Sequence, residues 1–249
     1  VVEITDERVS EFQAARCAAG VKLDTVQADL RWLRHALNLA VKAKQLTRDQ
    51  CPTIETHDPK NARTGFFEAD QLAAVLTKLP EHVRGVVTFA YLTGWRVRSE
   101  VLPLTWAQVD WRAGVVRLEP GTTKNGDGRE FPFAQLPALK QLLERQLAGA
   151  EPVSAHTVFY GSTGRPLDYK HLRLAWRAAC KKAKLPGRLL HDFRRTAVRN
   201  LVRAGVPQVV AMSLTGHKTA AVFHRYAIVD GTLQREGVAR LATALAAQH

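Results

Sequence analysis

The sequence predicts a mainly α-helical protein with one small antiparallel β-sheet. In most segments apolar residues recur every three or four positions, which is the period of one helix face. Two short runs with strand character flank the dipeptide Asn125-Gly126, which is a strong signal for a hairpin turn. With 249 residues, of which 46% are hydrophobic, the chain is long enough for one large or two modest domains with a substantial core.

Residues 1–61 are predicted to form a small helical domain followed by a linker. A short helix from Val9 to Ala19 is ended by a glycine, and Asp24 is expected to cap a longer helix that runs to about Lys44. The stretch from Thr47 to Arg63 contains two prolines and no hydrophobic period, which is typical of a linker. Two helices bury little surface on their own, so we expect a further helix of this domain to precede Val1.

Residues 62–249 are predicted to form a larger domain that begins with the helices Glu68–Leu79 and Glu81–Leu92. The pair Thr93-Gly94 ends the second helix, which places Arg96 in a turn at the edge of the core. The hairpin follows, with strands in GVVRLEP and GREFPF and with Lys124 at its tip, and HTVFY is a candidate for a third strand. Further helices are predicted from Pro137 to about Gly149, from Asp168 or Tyr169 to about Ala183, and from about Leu190 to Ala204.

The helix from about Leu190 to Ala204 separates into distinct faces at 100° per residue. One apolar face, which includes Phe193 and Ala197, should be buried. His191 and Arg194 are three residues apart and therefore share the border of that face. A separate basic row, spaced by four residues and predicted to bind the DNA backbone, consists of Arg195, Arg199 and Arg203.

The charge of the chain is strongly positive and uneven. The net charge is +13, of which residues 64–249 carry +12 and residues 1–63 carry +1. Between Arg165 and Arg203 there are twelve Lys or Arg residues and two acidic ones. Such a block favours a polyanionic partner, most plausibly nucleic acid held through its phosphates. The alternative is a basic surface that is merely solvated.

Cysteine usage and hydropathy argue against secreted and membrane proteins. The three cysteines have neither the spacing of a disulfide framework nor that of a zinc site, which indicates a reducing compartment. No apolar run approaches the roughly 18 to 20 residues needed to cross a bilayer, and the first residues lack the order of a signal peptide. We therefore expect a soluble, cytoplasmic protein associated with the nucleoid.

Four motifs occur in an order that resembles the tyrosine recombinases, also called phage-type integrases. TGWRV with SEVLPLTW resembles the first arginine motif of that family, and TTKNGDGREFPF resembles its lysine hairpin. HDFRRTA resembles the His-x-x-Arg box, and LTGHKTAAVFHRYA resembles the closing motif, with the nucleophile nine residues after the histidine. The residues that carry the resemblance are Arg96, Glu100, Lys124, His191, Arg194, His217 and Tyr226.

The resemblance covers the whole catalytic domain and the back part of the DNA-gripping domain before it. It implies the DNA breaking-rejoining fold, with residues 1–61 as a partial core-binding domain and residues 62–249 as the catalytic domain. The implied activity is site-specific recombination or integration through a 3′-phosphotyrosine intermediate, as in mobile elements. A type IB topoisomerase-like enzyme and a DNA-binding regulator on a recombinase scaffold are the alternatives.

The residue types at these positions suit the cleavage of a phosphodiester. The phenol of Tyr226 is a poor nucleophile near neutral pH unless positive charge and a proton acceptor lie close to it. Arg96 and Arg194 can stabilise the negative transition state through the nonbridging oxygens. Three roles remain. We assign His191 as the proton acceptor, His217 as a hydrogen-bond donor to the phosphate, and Lys124 as the proton donor to the departing 5′ oxygen.

One spacing departs from the family pattern. The first arginine and the acidic residue are usually three positions apart, whereas Arg96 and Glu100 are four apart and enclose an extra basic residue, Arg98. The Thr-Gly dipeptide before Arg96 favours Arg96 as the catalytic arginine. Glu100 then supports the site from behind, and Arg98 is assigned to DNA binding.

The resemblance also implies the partners of the chain. The substrate is double-stranded DNA, and relatives of this kind assemble as homo-oligomers, so we expect a tetramer on DNA. The chemistry needs no metal ion and no small-molecule cofactor, and the sequence offers no cluster of carboxylates or histidines at ligand spacing.

Overall fold

The computed structural model describes residues 3–57, 65–121, 126–149, 156–220, 223 and 231–246. The chain divides into two compact units, Val1–Arg63 and Thr64–His249. The boundary predicted from the sequence, between residues 61 and 62, lies two residues earlier. The identification of the first unit as a DNA-gripping domain stays a prediction.

The first unit consists of helix α1 (Asp6–Ala18), helix α2 (Leu23–Lys42) and a 3₁₀ turn at Arg48–Gln50. Helix α2 begins at Leu23 with Lys22 in the capping position, so the prediction that Asp24 caps this helix is wrong. Asp24 instead lies in the first turn, where its charge favours the helix N-terminus. The unit closes over a small apolar core formed by Val9, Leu30, Leu37 and Ile54.

The second unit is built around two central helices, α4 (Glu81–Thr93) and α7 (Asp192–Arg203), which pack against each other. Large aromatic side chains fill the space between the helices, and Trp95, Trp176 and Phe193 are almost fully buried. The surrounding helices are α3 (Ala69–Leu76), α5 (Pro137–Ala148), α6 (Tyr169–Lys182), α8 (Gln208–Thr215) and α9 (Gly231–Ala246). No helix in the described ranges is both long enough and apolar enough to span a membrane.

A three-stranded antiparallel sheet packs on one side of this helical unit. Its order is β1 (Val109–Asp110), β2 (Val115–Leu118) and β3 (Arg129–Pro132), and Val116 lies opposite Phe131. The predicted hairpin strands therefore pair, whereas the prediction of a strand at HTVFY is wrong. That segment makes only isolated β-bridges, because the chain passes through the core there and buries Val158 and Phe159.

The basic row predicted on α7 is not exposed, so that prediction is wrong for two of its three members. Arg195 and Arg199 are only 3% and 6% exposed. The chain just before α3 lays the ring of Phe66 against both guanidinium groups, at 5.1 and 4.6 Å from the ring centre. Arg199 also donates to both carboxylate oxygens of Glu68, and Arg203 is half-buried. This face of α7 therefore packs within the domain, and its contact with DNA stays a prediction.

The burial of Arg199 predicts a structural role that can be measured. Arg199→Ala should lower the free energy of unfolding by about 2 kcal/mol, because Glu68 loses its partner and Phe66 loses a packed guanidinium group. Arg203→Ala is the matched control on the same helix and should change it by less than about 0.5 kcal/mol. Urea denaturation measures both. If Arg199→Ala instead lost DNA affinity at unchanged stability, Arg199 would bind the DNA backbone as predicted from the sequence.

Candidate active site

The first arginine of the site follows directly from the end of α4. The helix stops at Gly94, which adopts a left-handed conformation with φ of +69°. A Cβ atom at Gly94 would lie 2.7 Å from the Cβ atom of Ala197, so the turn packs closely against α7. Trp95 is buried and donates from its indole nitrogen to the carbonyl oxygen of Leu214, 2.9 Å away. Arg96 therefore emerges from a turn that is fixed on both sides.

A buried carboxylate, that of Glu100, organises this part of the site. Glu100 is 1% exposed and accepts from Arg96 twice, from Nη1 at 2.5 Å and from the backbone nitrogen at 2.6 Å. Its other ion pair is with Arg129 of β3. One carboxylate thus orients two guanidinium groups from distant parts of the chain.

The unusual spacing between Arg96 and Glu100 has a structural explanation. Residues Val97–Val101 form a π-helical turn, in which Val101 donates to the carbonyl oxygen of Arg96 at 3.1 Å. Glu100 lies four residues after Arg96, a spacing that places two side chains next to each other across one helical turn, so its carboxylate still reaches Arg96. The residue inside this turn, Arg98, is exposed and lies 5.6 Å from the ring centre of Tyr169.

Arg129 is a member of the site that the sequence analysis did not identify. Its side chain is 6% exposed, and its guanidinium carbon lies 4.9 Å from the ring centre of Trp95. A Cβ atom at Gly216 would meet Nη1 of Arg129 at 1.9 Å, so a glycine is required where this arginine reaches the end of α8. Burial lowers the pKa of Arg129, and the carboxylate of Glu100 opposes that shift. The only sequence signal was an arginine at the start of the strand that follows the hairpin tip.

Arg194 joins two turns of the backbone. It is 3% exposed on α7, and its Nη1 donates to the carbonyl oxygen of Gly94 at 3.0 Å while its Nη2 donates to that of Gly216 at 2.9 Å. These two glycines end α4 and α8, respectively. Because helix C-termini carry partial negative charge, they favour a cation at this position.

Both predicted histidines lie close to these arginines. His217 is 7% exposed, and its Nδ1 lies 2.7 Å from the hydroxyl oxygen of Thr215. Burial and then the charges of Arg194 and Arg96 lower the pKa of His217 to about 3. His191 precedes α7 and is more exposed, and partial burial followed by the charge of Arg194 lowers its pKa as well. Both rings are therefore neutral near neutral pH in the free protein.

The structure brings together five of the seven residues that carry the resemblance. The other two, Lys124 and Tyr226, lie outside the described residues. A small cavity of about 170 Å³ adjoins the cluster and is lined in part by Arg129, His217 and Lys218. Two guanidinium groups thus pair with a single buried carboxylate and Arg194 adds a third positive charge, which leaves a surplus suited to a phosphate group.

Comparison with protein families and curated proteins identifies related sequences. A family model described as the phage integrase family matches residues 63–231. The integrase of Salmonella phage P22 is 28% identical over 201 residues, which cover 77% of this chain and 51% of that relative. The chain therefore spans about half the length of this curated relative.

Solved structures share the fold at low sequence identity. The Tn1549 transposon integrase, solved with circular intermediate DNA, aligns with a TM-score of 0.74 at 18% identity, covering 95% of this chain and 85% of that one. A lambda integrase tetramer bound to a Holliday junction aligns with a TM-score of 0.71 at 18% identity, covering 91% and 65%. These alignments confirm the predicted fold class, mainly helical with a small antiparallel sheet.

The position of Glu100 between two guanidinium groups makes its charge important for stability. Glu100→Gln should lower the free energy of unfolding by about 3 kcal/mol, because it leaves Arg96 and Arg129 close together without a counter-charge. The control is Glu130→Gln on β3, whose carboxylate is 56% exposed and pairs with Arg117. That change should cost less than about 1 kcal/mol. Equal losses in urea denaturation would contradict the central role of Glu100.

The lowered pKa of His217 predicts a dependence of stability on pH. Between the ordinary value near 6.5 and about 3, the unfolded chain binds a proton at this residue and the folded chain does not. The free energy of unfolding should therefore fall as the pH drops below about 6.5, by about 1 to 2 kcal/mol at pH 5 relative to pH 7. His217→Gln should lack this component in urea denaturation at both pH values. Identical pH dependence in both proteins would rule out a neutral, buried His217.

Proposed function

The chain belongs to the phage integrase family, and from this premise we propose that it is a site-specific recombinase that cuts and rejoins DNA through a 3′-phosphotyrosine intermediate. The observation that carries the proposal is the cluster in which Arg96 and Arg129 pair with one buried carboxylate while backbone carbonyl groups hold Arg194 at the same site. A phosphodiester undergoing substitution gains negative charge on its nonbridging oxygens. Preorganised guanidinium groups in a partly buried site stabilise that charge more than water does.

The proposed reaction uses residues on both sides of this cluster. The phenol oxygen of Tyr226 bonds to phosphorus, its proton passes to His191, and the bond to the 5′ oxygen breaks. Lys124 protonates the departing oxygen. The 5′ hydroxyl of a second strand then attacks the phosphotyrosine link, which restores the phenol and joins the strands without an external energy source. Arg96 and Arg98 are the two candidates for the first catalytic arginine. Arg96 is favoured because buried Glu100 holds its guanidinium group in place, whereas Arg98 is exposed.

A basic groove beside the cluster supports a duplex as the substrate. Arg173, Arg177 and Lys181 are spaced by four residues along α6 and are exposed. They line a cavity of about 760 Å³ whose other lining residues include Arg188 and His191. The residues described along this cavity include no acidic side chain. We assign this groove, in place of the α7 row, to the DNA backbone next to the scissile phosphate.

The proposed assembly on DNA is based on a structural relative. Lambda integrase has been solved as a tetramer bound to a Holliday junction, and we propose that this chain likewise acts as a tetramer on DNA in the cytoplasm. Residues 1–61 would then grip the duplex as part of a core-binding domain. Because the chain covers about half of the phage P22 integrase, its own ability to bring two sites together is part of the proposal.

A nicked suicide substrate tests the proposed activity. The protein should form a denaturation-resistant adduct with DNA, and Tyr226→Phe should abolish it because no phenol is available to attack. Arg96→Ala should lower adduct formation by at least about 100-fold through the loss of a transition-state donor. Arg98→Ala is the matched control in the same turn and should lower DNA affinity with little effect on cleavage once DNA is saturating.

Two outcomes exclude the proposed activity, one in this assay and one with supercoiled DNA, and a third changes the assignment of its residues. DNA binding without an adduct in the unmodified protein would indicate a regulator on a recombinase scaffold. Relaxation of supercoiled DNA by a monomer, without strand exchange, would indicate a topoisomerase-like enzyme. Loss of cleavage in Arg98→Ala but not in Arg96→Ala would reverse the assignment of the two arginines.

The basic groove predicts a specific salt dependence of binding. Arg177→Ala should weaken binding to duplex DNA at every sequence and reduce the slope of log affinity against log salt by about one, because one phosphate contact is lost. Arg112→Ala, an exposed arginine outside the groove, is the control and should leave the slope unchanged. Fluorescence anisotropy across a salt series measures both. Equal slopes for Arg177→Ala and the unmodified protein would exclude the groove.

A further inference from the structure

The hydroxyl group of Thr215 makes two short contacts beside the active site. Thr215 is the last residue of α8 and is fully buried. Its Oγ1 lies 2.7 Å from the carbonyl oxygen of Ala211 and 2.7 Å from Nδ1 of His217. Both distances are those of hydrogen bonds, and each bond needs a proton between the two atoms. A threonine hydroxyl supplies only one proton.

The two contacts together determine the tautomer of His217. A carbonyl oxygen carries no proton, so the contact with Ala211 must use the proton of the Thr215 hydroxyl. The contact with His217 must then use a proton on the ring, and Nδ1–H donates to Oγ1 of Thr215. In a neutral imidazole only one ring nitrogen is protonated, so Nε2 carries a lone pair. Neutral His217 therefore cannot donate from Nε2 to a phosphate oxygen.

The charges around the ring keep it neutral in the free protein. Burial is the largest cause of the lowered pKa of His217, and positive charges on several elements add to it. The nearest acidic group of the cluster, Glu100, is already paired with two guanidinium groups. The groups that lower this pKa by their charge are Arg194 on α7, Arg96 after α4 and Arg129 on β3, joined by His191 before α7 once that ring is itself protonated. The neighbouring Lys218 is itself paired with Asp127 at 2.9 Å.

A bound phosphate changes this balance. The anion offsets part of the guanidinium charge, which favours a second proton on the ring. It also places oxygen lone pairs near Nε2, where only a protonated nitrogen makes a favourable contact. Thr215 continues to accept from Nδ1 in the imidazolium, so the ring does not have to move. Proton binding and anion binding therefore support each other.

We propose that Thr215 is a positioning residue that couples the binding of a tetrahedral oxyanion in this site to the uptake of one proton by Nε2 of His217. The proposal rests on the proposed function for the identity of that oxyanion, a DNA phosphodiester. It retains His217 as a donor to the phosphate, as expected from the sequence, but makes the donor an imidazolium formed on binding. Neither a DNA sequence nor a cleavage step enters the coupling itself.

Nitrogen NMR of the histidine rings tests the proposal on the full chain without DNA. Sulfate serves as the probe, because its own protonation does not change near neutral pH. In the free protein at pH 7, His217 should be neutral with its proton on Nδ1, and saturating sulfate should protonate both nitrogens. A proton on Nε2 in the free protein, or a ring that stays neutral with sulfate bound, would overturn the proposal.

Two matched variants separate the role of Thr215 from general electrostatics. Sulfate affinity of the unmodified protein should fall as the pH rises from 6 to 8, by up to about tenfold per unit, the limit for one linked proton. Thr215→Ser keeps the hydroxyl and should keep this dependence. Thr215→Val removes the hydroxyl and allows the Nε2–H tautomer. Its sulfate affinity should therefore change little between pH 6 and pH 8. The same pH dependence in all three proteins would exclude Thr215 as the coupling residue.

These measurements are independent of the recombinase activity. A protein that forms no DNA adduct can still show the predicted tautomer and proton uptake, in which case the proposed function fails and the coupling stands. A protein that forms the adduct but binds sulfate without taking up a proton retains its function and loses the coupling. The tautomer of the free ring and its protonation with sulfate bound, both measured on the unmodified protein, decide between these cases even where Thr215→Val does not fold.

Discussion

The carboxylate of Glu100 is the interaction on which the site depends. Two guanidinium groups, from the turn after α4 and from β3, would repel each other at this separation without a shared anion. A buried carboxylate compensates for that repulsion and for the cost of removing the charges from water. One acidic group does not neutralise the cluster, because Arg194 adds a third positive charge. The site therefore carries an excess of positive charge that a bound anion can balance.

The third arginine, Arg194, is held by backbone carbonyl groups. Arg194 donates to the carbonyl oxygens of Gly94 and Gly216, the residues at which α4 and α8 end. Neutral carbonyl groups hold the guanidinium group in place without cancelling its charge, whereas a carboxylate would cancel it. The left-handed glycines are needed because each turn must bring its carbonyl group close to the buried side chain. The ends of two helices therefore help to position this charge at the centre of the site.

Much of this arrangement is predictable from the sequence, and the exceptions have a common cause. Helix periods and glycine stops correctly located α4 and its turn, because these signals are local. The row of Arg195 and Arg199 was predicted as exposed because periodicity gives the angle of a helix face and not what covers it. The cover, Phe66, lies more than 120 residues away in sequence. Arg129 was missed for the same reason, since its partner Glu100 belongs to a different element.

The turn between Arg96 and Glu100 shows that a change in motif spacing can leave an ion pair intact. Counting residues alone makes the spacing between Arg96 and Glu100 look like a departure, although residues three and four apart both face each other across one helical turn. The π turn leaves Arg98 exposed, and the carboxylate of Glu100 reaches Arg96 at this spacing. What the site requires is the position of a carboxylate beneath a guanidinium group, and more than one backbone spacing can provide it. Motif spacing is therefore a weaker criterion for an intact site than the ion pair that the spacing serves.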